Sequence, residues 1–159
     1  VGQRLLRVRR YLDNEPSFLA NYADGLSDLP LDQQIADFER RKVVGSFASV
    51  RSAQSFHLVQ ADAEGLVTAV GPMRNDELYI NGGFFAFRHE IFDYIQEGEE
   101  LVEQPFARLI AQRRLATYRH AGFWQAMDTF KDKITFDRME ARGDCPWMRW
   151  RQRNGHVAK

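Results

Sequence analysis

Phe18-Leu19-Ala20-Asn21-Tyr22-Ala23-Asp24-Gly25 reads as a buried strand whose apolar run ends in a carboxylate and a glycine turn. Beyond it, Leu31-Asp32-Gln33-Gln34-Ile35-Ala36-Asp37-Phe38-Glu39 sets Leu31, Ile35 and Phe38 at helical spacing, and Val43-Val44-Gly45-Ser46-Phe47-Ala48-Ser49-Val50 returns as a strand. Strand, helix, strand in that order is a βαβ unit, so the expected class is α/β. Phe56 to Ala61 and Leu66 to Val70 flank the turn-like Asp62-Ala63-Glu64-Gly65 as an antiparallel hairpin, which makes the expected sheet mixed. A strand over Tyr79 to Phe87, helices near 89 to 96 and 105 to 114, a strand over Leu115 to His120 and a last helix from about 130 to 142 complete the pattern. Gly143 and Pro146 then supply a C-cap and a stop.

The bulk numbers narrow the classes. At 159 residues, 44% hydrophobic and 13% aromatic, the chain holds one domain with a substantial core. Lys plus Arg equals Asp plus Glu at 22 each, so no net field draws in a polyanion, and nucleic acid is not an expected partner. The single Cys145 excludes an intrachain disulfide framework, and no apolar run approaches the roughly 18 residues that span a bilayer. A cytoplasmic protein with no membrane partner is the expectation.

Two carboxylates have matching settings. Asp24 closes the first strand, and Asp128 ends the aromatic and apolar approach Gly122-Phe123-Trp124-Gln125-Ala126-Met127 before Thr129-Phe130-Lys131-Asp132-Lys133 turns amphipathic. Acids delivered to strand or loop ends are how an α/β protein holds Mg²⁺ against a nucleotide's phosphates, although a helix N-cap or a turn uses the same residue. Asn81-Gly82-Gly83-Phe84-Phe85 puts two glycines inside a strand, which marks either a plain bulge or a place where another surface, such as a sugar ring, meets bare backbone. Trp124 and Phe123 serve a ligand pocket or the core. His57, His89, His120 and His156 lack zinc spacing, Glu99, Glu100 and Glu103 read as the acidic approach to a helix, and no GxSxG elbow or Walker loop occurs.

In order along the chain, Gly2-x-Arg4-Leu5, Tyr22-Ala23-Asp24-Gly25, Ile80-Asn81-Gly82-Gly83-Phe84-Phe85, Gly122-Phe123-Trp124-Gln125-Ala126-Met127-Asp128-Thr129, Lys131-Asp132-Lys133 and Pro146-Trp147 resemble the sugar nucleotidyltransferases, nearest the glucose-1-phosphate cytidylyltransferase branch. The resemblance implies a nucleotide-diphospho-sugar transferase fold, an α/β mixed sheet flanked by helices. It also implies the Mg²⁺-dependent conversion of CTP and glucose 1-phosphate to CDP-glucose and pyrophosphate, in nucleotide-sugar and polysaccharide synthesis. By the same resemblance Asp24 and Asp128 match the metal-binding, catalytic aspartates, Asn81, Gly82 and Gly83 the sugar-contact segment, and Gly2 and Arg4 the approach to the nucleotide. A homo-oligomer is expected.

Two departures qualify the likeness. No Gly-Gly-x-Gly-Thr-Arg loop with its phosphate-binding lysine is present. The chain therefore reads as the downstream portion of such an enzyme, incomplete at its N-terminus. Residues 1–150 are expected to form the C-terminal portion of the catalytic domain and 151–159 a disordered basic tail, and the chain is expected to be inactive alone. Where the family carries Glu-Lys-Pro, this sequence has Val70-Gly71-Pro72, with Met73-Arg74 just after, so Arg74 becomes the candidate cation for the sugar phosphate. A non-catalytic binding or assembly module is the alternative, while an Asp-x-Asp glycosyltransferase lacks its motif here.

Overall fold

The computed structural model describes residues 1–51, 57–72 and 78–150. Its elements are α1 (Gly2–Val8), β1 (Ser17–Ala20), β2 (Gly25–Ser27), α2 (Leu31–Arg41), β3 (Gly45–Arg51), β4 (His57–Ala61), β5 (Val67–Pro72), β6 (Tyr79–Arg88), α3 (Gln104–Ala111), β7 (Leu115–His120), β8 (Trp124–Ala126) and α4 (Phe130–Ala141). The main sheet has the order β1-β6-β3-β7. β6 runs antiparallel to both β1 and β3, and β3 and β7 are parallel. The expected βαβ crossover is thus present as parallel β1 and β3, but β6 is inserted between them.

The first strand is shorter than its apolar run suggests. Pairing with β6 stops at Ala20 opposite Phe85, because β6 leaves the ladder at Gly83 and Phe84, both with positive φ (74° and 48°). Asn21 takes over with its side chain, whose Oδ1 accepts the Phe84 N–H at 3.2 Å. Asp24 is therefore a turn residue four positions past the strand, not its last residue, and a separate three-residue strand, β2, follows.

One face of the sheet carries the principal core. Phe85 and Phe87 of β6 stack at 5.5 Å and pack with Val44, Ile91, Phe92, Ile95, Leu101, Phe106, Leu109 and Leu5. Fully burying a side chain of this kind contributes about 1.5–3 kcal/mol. On the opposite face α2 turns Gln34 and Phe38 inward, while Leu31 and Ile35, grouped with Phe38 by spacing, are 41% and 37% exposed. They sit on the flank of the helix beside Leu19, in shallow grooves along β1.

The hairpin forms as expected, with β4 and β5 antiparallel in a sheet of their own. Asp62 Oδ1 accepts from the N–H groups of Glu64 and Leu66, and Gly65 supplies φ +86° for the turn. The last helix is capped at both ends. Thr129 and Asp132 form a reciprocal capping box, and Gly143, at φ +72°, completes a Schellman pair of bonds to Glu140 O and Met139 O. The segment expected as a helix over 89 to 96 is a short 3₁₀ turn, His89–Asp93. No helix among the described residues is long and apolar enough to cross a membrane.

Candidate metal and ligand cleft

β2 and β8 pair antiparallel, with Gly25 opposite Ala126, Leu26 opposite Gln125 and Ser27 opposite Trp124. Just beyond Gly25, the Met127 N–H donates to Asp24 O at 2.9 Å. This ribbon brings the two singled-out residues to one end of its backbone: Asp24 lies across from Met127, and Asp128 is the next residue. Both are exposed. Mg²⁺ is commonly held by one or two carboxylates, with water and substrate phosphate completing its shell, so two exposed acids suit it. Among the described residues no group of three or more His, Cys, Asp and Glu is arranged to enclose a metal without substrate.

A cleft of about 600 Å³ opens beside this end. Arg4, Leu5 and Val8 of α1 form one wall, Asn21, Tyr22 and Asp24 another, and Met127 closes it. Arg4 is exposed and contributes a guanidinium to the lining, while Asp128 is not itself part of the wall. Gly2 serves packing: a Cβ there would lie 2.8 Å from Glu99 O and 3.4 Å from Ile95 Cγ2, so its absence lets α1 seat against that segment.

Tyr22 forms the polar floor. Its ring meets Phe85 edge-on at 5.2 Å, and its hydroxyl accepts from Asn81 Nδ2 at 3.2 Å. Burial pushes its phenol above the ordinary pKa, the Asn81 bond opposes this, and the charges of Glu100 and Asp24 add to the rise. The hydroxyl thus stays neutral near pH 7 and keeps a proton to donate. Asn81 is engaged twice, its Oδ1 accepting the Gly83 N–H at 2.9 Å.

The glycine pair is a bulge, set where β6 slips against β3 between Phe47 and Ser49. The surfaces that approach its bare backbone belong to the protein. A Cβ on Gly82 would be 2.9 Å from Val50 Cγ1, and one on Gly83 would be 2.9 Å from Tyr22 Cδ2. Trp124 is half-buried and donates its Nε1 proton to Gly82 O at 2.8 Å, joining β8 to the bulge. Phe123 packs on Trp147, which in turn meets Phe136 of α4. Arg74 lies outside the described residues.

A pair that spacing did not single out, buried on the histidine side and half-buried on the aspartate side, closes the far end of the ribbon. His120 Nε2 is 2.8 Å from Asp28 Oδ1 and 3.4 Å from Phe123 O. Sequence spacing gives His120 no visible partner, because Asp28 is 92 positions away.

Comparison with known proteins accords with the motifs. Over 151 residues, 94% of this chain, it is 30% identical to the glucose-1-phosphate cytidylyltransferase of Salmonella typhi, and equally to that of Salmonella typhimurium. The chain spans 59% of the length of these curated relatives. A solved protein of Bacillus anthracis, assigned to the glucose-1-phosphate thymidylyltransferases and complexed with a sucrose, superposes with a TM-score of 0.61 at 12% identity. That match covers 91% of this chain and 61% of the other, and it shows the fold alone. No protein-family model matches. The fold is the expected nucleotide-diphospho-sugar transferase arrangement, and the resemblance to glucose-1-phosphate cytidylyltransferases extends over nearly the whole chain.

Proposed function

We propose that this chain is the metal- and sugar-phosphate-handling portion of a sugar-1-phosphate nucleotidyltransferase that takes CTP and glucose 1-phosphate to CDP-glucose and pyrophosphate. The observation that supports the proposal is the β2–β8 ribbon, which pairs the backbone of Asp24 with Met127, the neighbour of Asp128, beside a cleft lined by Arg4, Tyr22 and Asp24. In this reaction an oxygen of the sugar phosphate attacks the α-phosphorus in line, and the bond from that phosphorus to the departing pyrophosphate breaks. Two anions must be brought together, so positioning and charge neutralisation dominate the catalysis. Asp24 and Asp128 would hold Mg²⁺, which would supply charge neutralisation at the phosphates when bound. Arg4 offers a cation to the nucleotide side of the cleft, and the neutral Tyr22 hydroxyl offers a donor to a ligand there where another carboxylate would repel.

The 159 residues contain no glycine-rich triphosphate loop. Turnover therefore depends on a cradle supplied by further polypeptide, as the additional length of the relatives also suggests. The test has two arms. Titration of the chain with Mn²⁺ should show binding that Asp24→Asn and Asp128→Asn each weaken strongly without changing the far-ultraviolet circular dichroism, and unaltered binding in both variants refutes the metal assignment. Pyrophosphate should not be released from CTP and glucose 1-phosphate by the 159-residue chain alone, and its release would overturn this division of labour.

A second reading, a non-catalytic binding module, is favoured by Val70-Gly71-Pro72 standing where the family carries Glu-Lys-Pro. Retained glucose 1-phosphate binding with no turnover, even after a triphosphate-binding half is added, would support it.

A further inference from the structure

β2 and β8 are three residues each, and no tight turn joins them: Ser27 and Phe123, bonded to one another, are 96 positions apart. Two-stranded ribbons are marginal alone, and a hairpin's register normally comes from its turn. Here register must come from elsewhere. A slip of one residue would send every side chain of β8 to the opposite face and change the placement of Asp128 relative to Asp24.

At the acidic end the ribbon is closed by one backbone bond, Met127 N–H to Asp24 O. The opposite end is held by several groups. The Asp28 N–H donates to Phe123 O at 3.1 Å, Ser27 Oγ donates to the same oxygen at 2.7 Å, and the Leu29 N–H donates to Ser27 Oγ at 3.1 Å. His120 adds the long-range link. Both neighbours of its Nε2, Asp28 Oδ1 and Phe123 O, are acceptors, so this nitrogen carries the proton and faces the residue just after β2 and the residue just before β8. His120 is 8% exposed and ends β7, where it sits opposite Val50 of β3, so it belongs to the rigid sheet. The intervening Gly122 leaves no space for a side chain: a Cβ would collide with Asp28 Oδ1 and lie 2.7 Å from His120 Cε1.

We propose that the Asp28–His120 pair is a positioning device that ties the β2–β8 ribbon to the central sheet in one register and so sets the placement of Asp24 and Asp128. The significance for metal binding rests on the reading of those acids given above; the register itself does not. The hydrogen-bonding pattern makes Gly25/Ala126 and Ser27/Trp124 the close, non-hydrogen-bonded pairs, for which strong cross-strand Hα–Hα nuclear Overhauser effects are expected.

The test compares the wild-type chain with His120→Phe, which keeps bulk and loses the donor, His120→Gln, which keeps an Nε donor, and Asp28→Leu, which removes the acceptor at a more accessible position. In His120→Phe and Asp28→Leu the two Overhauser effects should weaken or vanish and Mn²⁺ affinity should fall roughly 10–100-fold, the range typical when a supporting partner of a metal site is removed. His120→Gln should recover both. Should His120→Phe fail to fold, Asp28→Leu carries the comparison. Wild-type Overhauser effects in His120→Phe or Asp28→Leu overturn the proposal, as does failure of His120→Gln to recover them. Loss of those effects in a protein whose wild type takes up no Mn²⁺ sustains the register role and removes the metal reading instead.

Discussion

Gly83→Ala tests whether the bulge in β6 is held in place by the ring of Tyr22. Gly83 has φ +74°, and an added Cβ would lie 2.9 Å from Tyr22 Cδ2, 3.4 Å from Tyr22 Cγ and 3.2 Å from Asn21 Oδ1. Two costs combine. A left-handed backbone costs a non-glycine residue about 1–2 kcal/mol. Forcing an extra methyl into packed surroundings costs typically about 1–3 kcal/mol more. Gly65 isolates the first cost, since it has φ +86° and a methyl added there would meet nothing within 4 Å. Gly65→Ala should therefore lose only the conformational part, and Gly83→Ala should exceed it by about 1–3 kcal/mol, or several degrees of melting temperature at roughly 2–4 °C per kcal/mol for a chain of this size. Urea denaturation followed by circular dichroism measures both. Combining Gly83→Ala with Tyr22→Ala should cost less than the sum of the single changes, because removing the ring removes the collision. Equal losses for Gly65→Ala and Gly83→Ala, or strict additivity with Tyr22→Ala, would refute the steric account of the bulge.

Three further outcomes are expected. The hydrogen bonds from Arg108 hold Glu99 down to about 2 from its ordinary 4.5 despite some opposing burial, with the Gln96 N–H adding to the effect. A depressed acid stabilises the fold above its unfolded value and loses that contribution as pH falls, so melting temperature should decline between about pH 4.5 and pH 2 partly through Glu99, and Arg108→Met should flatten that limb. Thr129→Ala removes the acceptor at the head of α4, Thr129 Oγ1 to the Asp132 N–H at 3.2 Å, and should cost about 0.5–2 kcal/mol in chemical denaturation. Trp124→Phe leaves Gly82 O without its 2.8 Å donor and should cost about 1–3 kcal/mol in the same assay; an unchanged midpoint would mean that the carbonyl finds another partner.

Local chemistry was legible along the chain. The helix after Pro30, the Asp62–Gly65 turn, the strand over Leu115–His120 and the cap at Gly143 follow from periodicity and from residue types that suit particular backbone angles, properties that act over a few neighbours. The same reading marked Asp24 and Asp128 as acids emerging from apolar segments, and their motifs carried the family resemblance. Pairing was not legible. Nothing near Leu31 or Ile35 indicates that α2 would turn Gln34 inward instead, because that choice depends on which strands lie beneath the helix. β6 enters between β1 and β3 because antiparallel partners satisfy both of its edges, a contest decided among distant segments. The pairing of Asp24 with Met127, next to Asp128, and the contacts of Tyr22 with Asn81 and of Asp28 with His120 likewise arise only when the chain closes on itself. Sequence alone determined which residues could do chemistry, since that is a property of each side chain in its local setting. Tertiary structure alone decided which of them meet, since register is set by the simultaneous hydrogen bonding and burial of segments far apart in the chain.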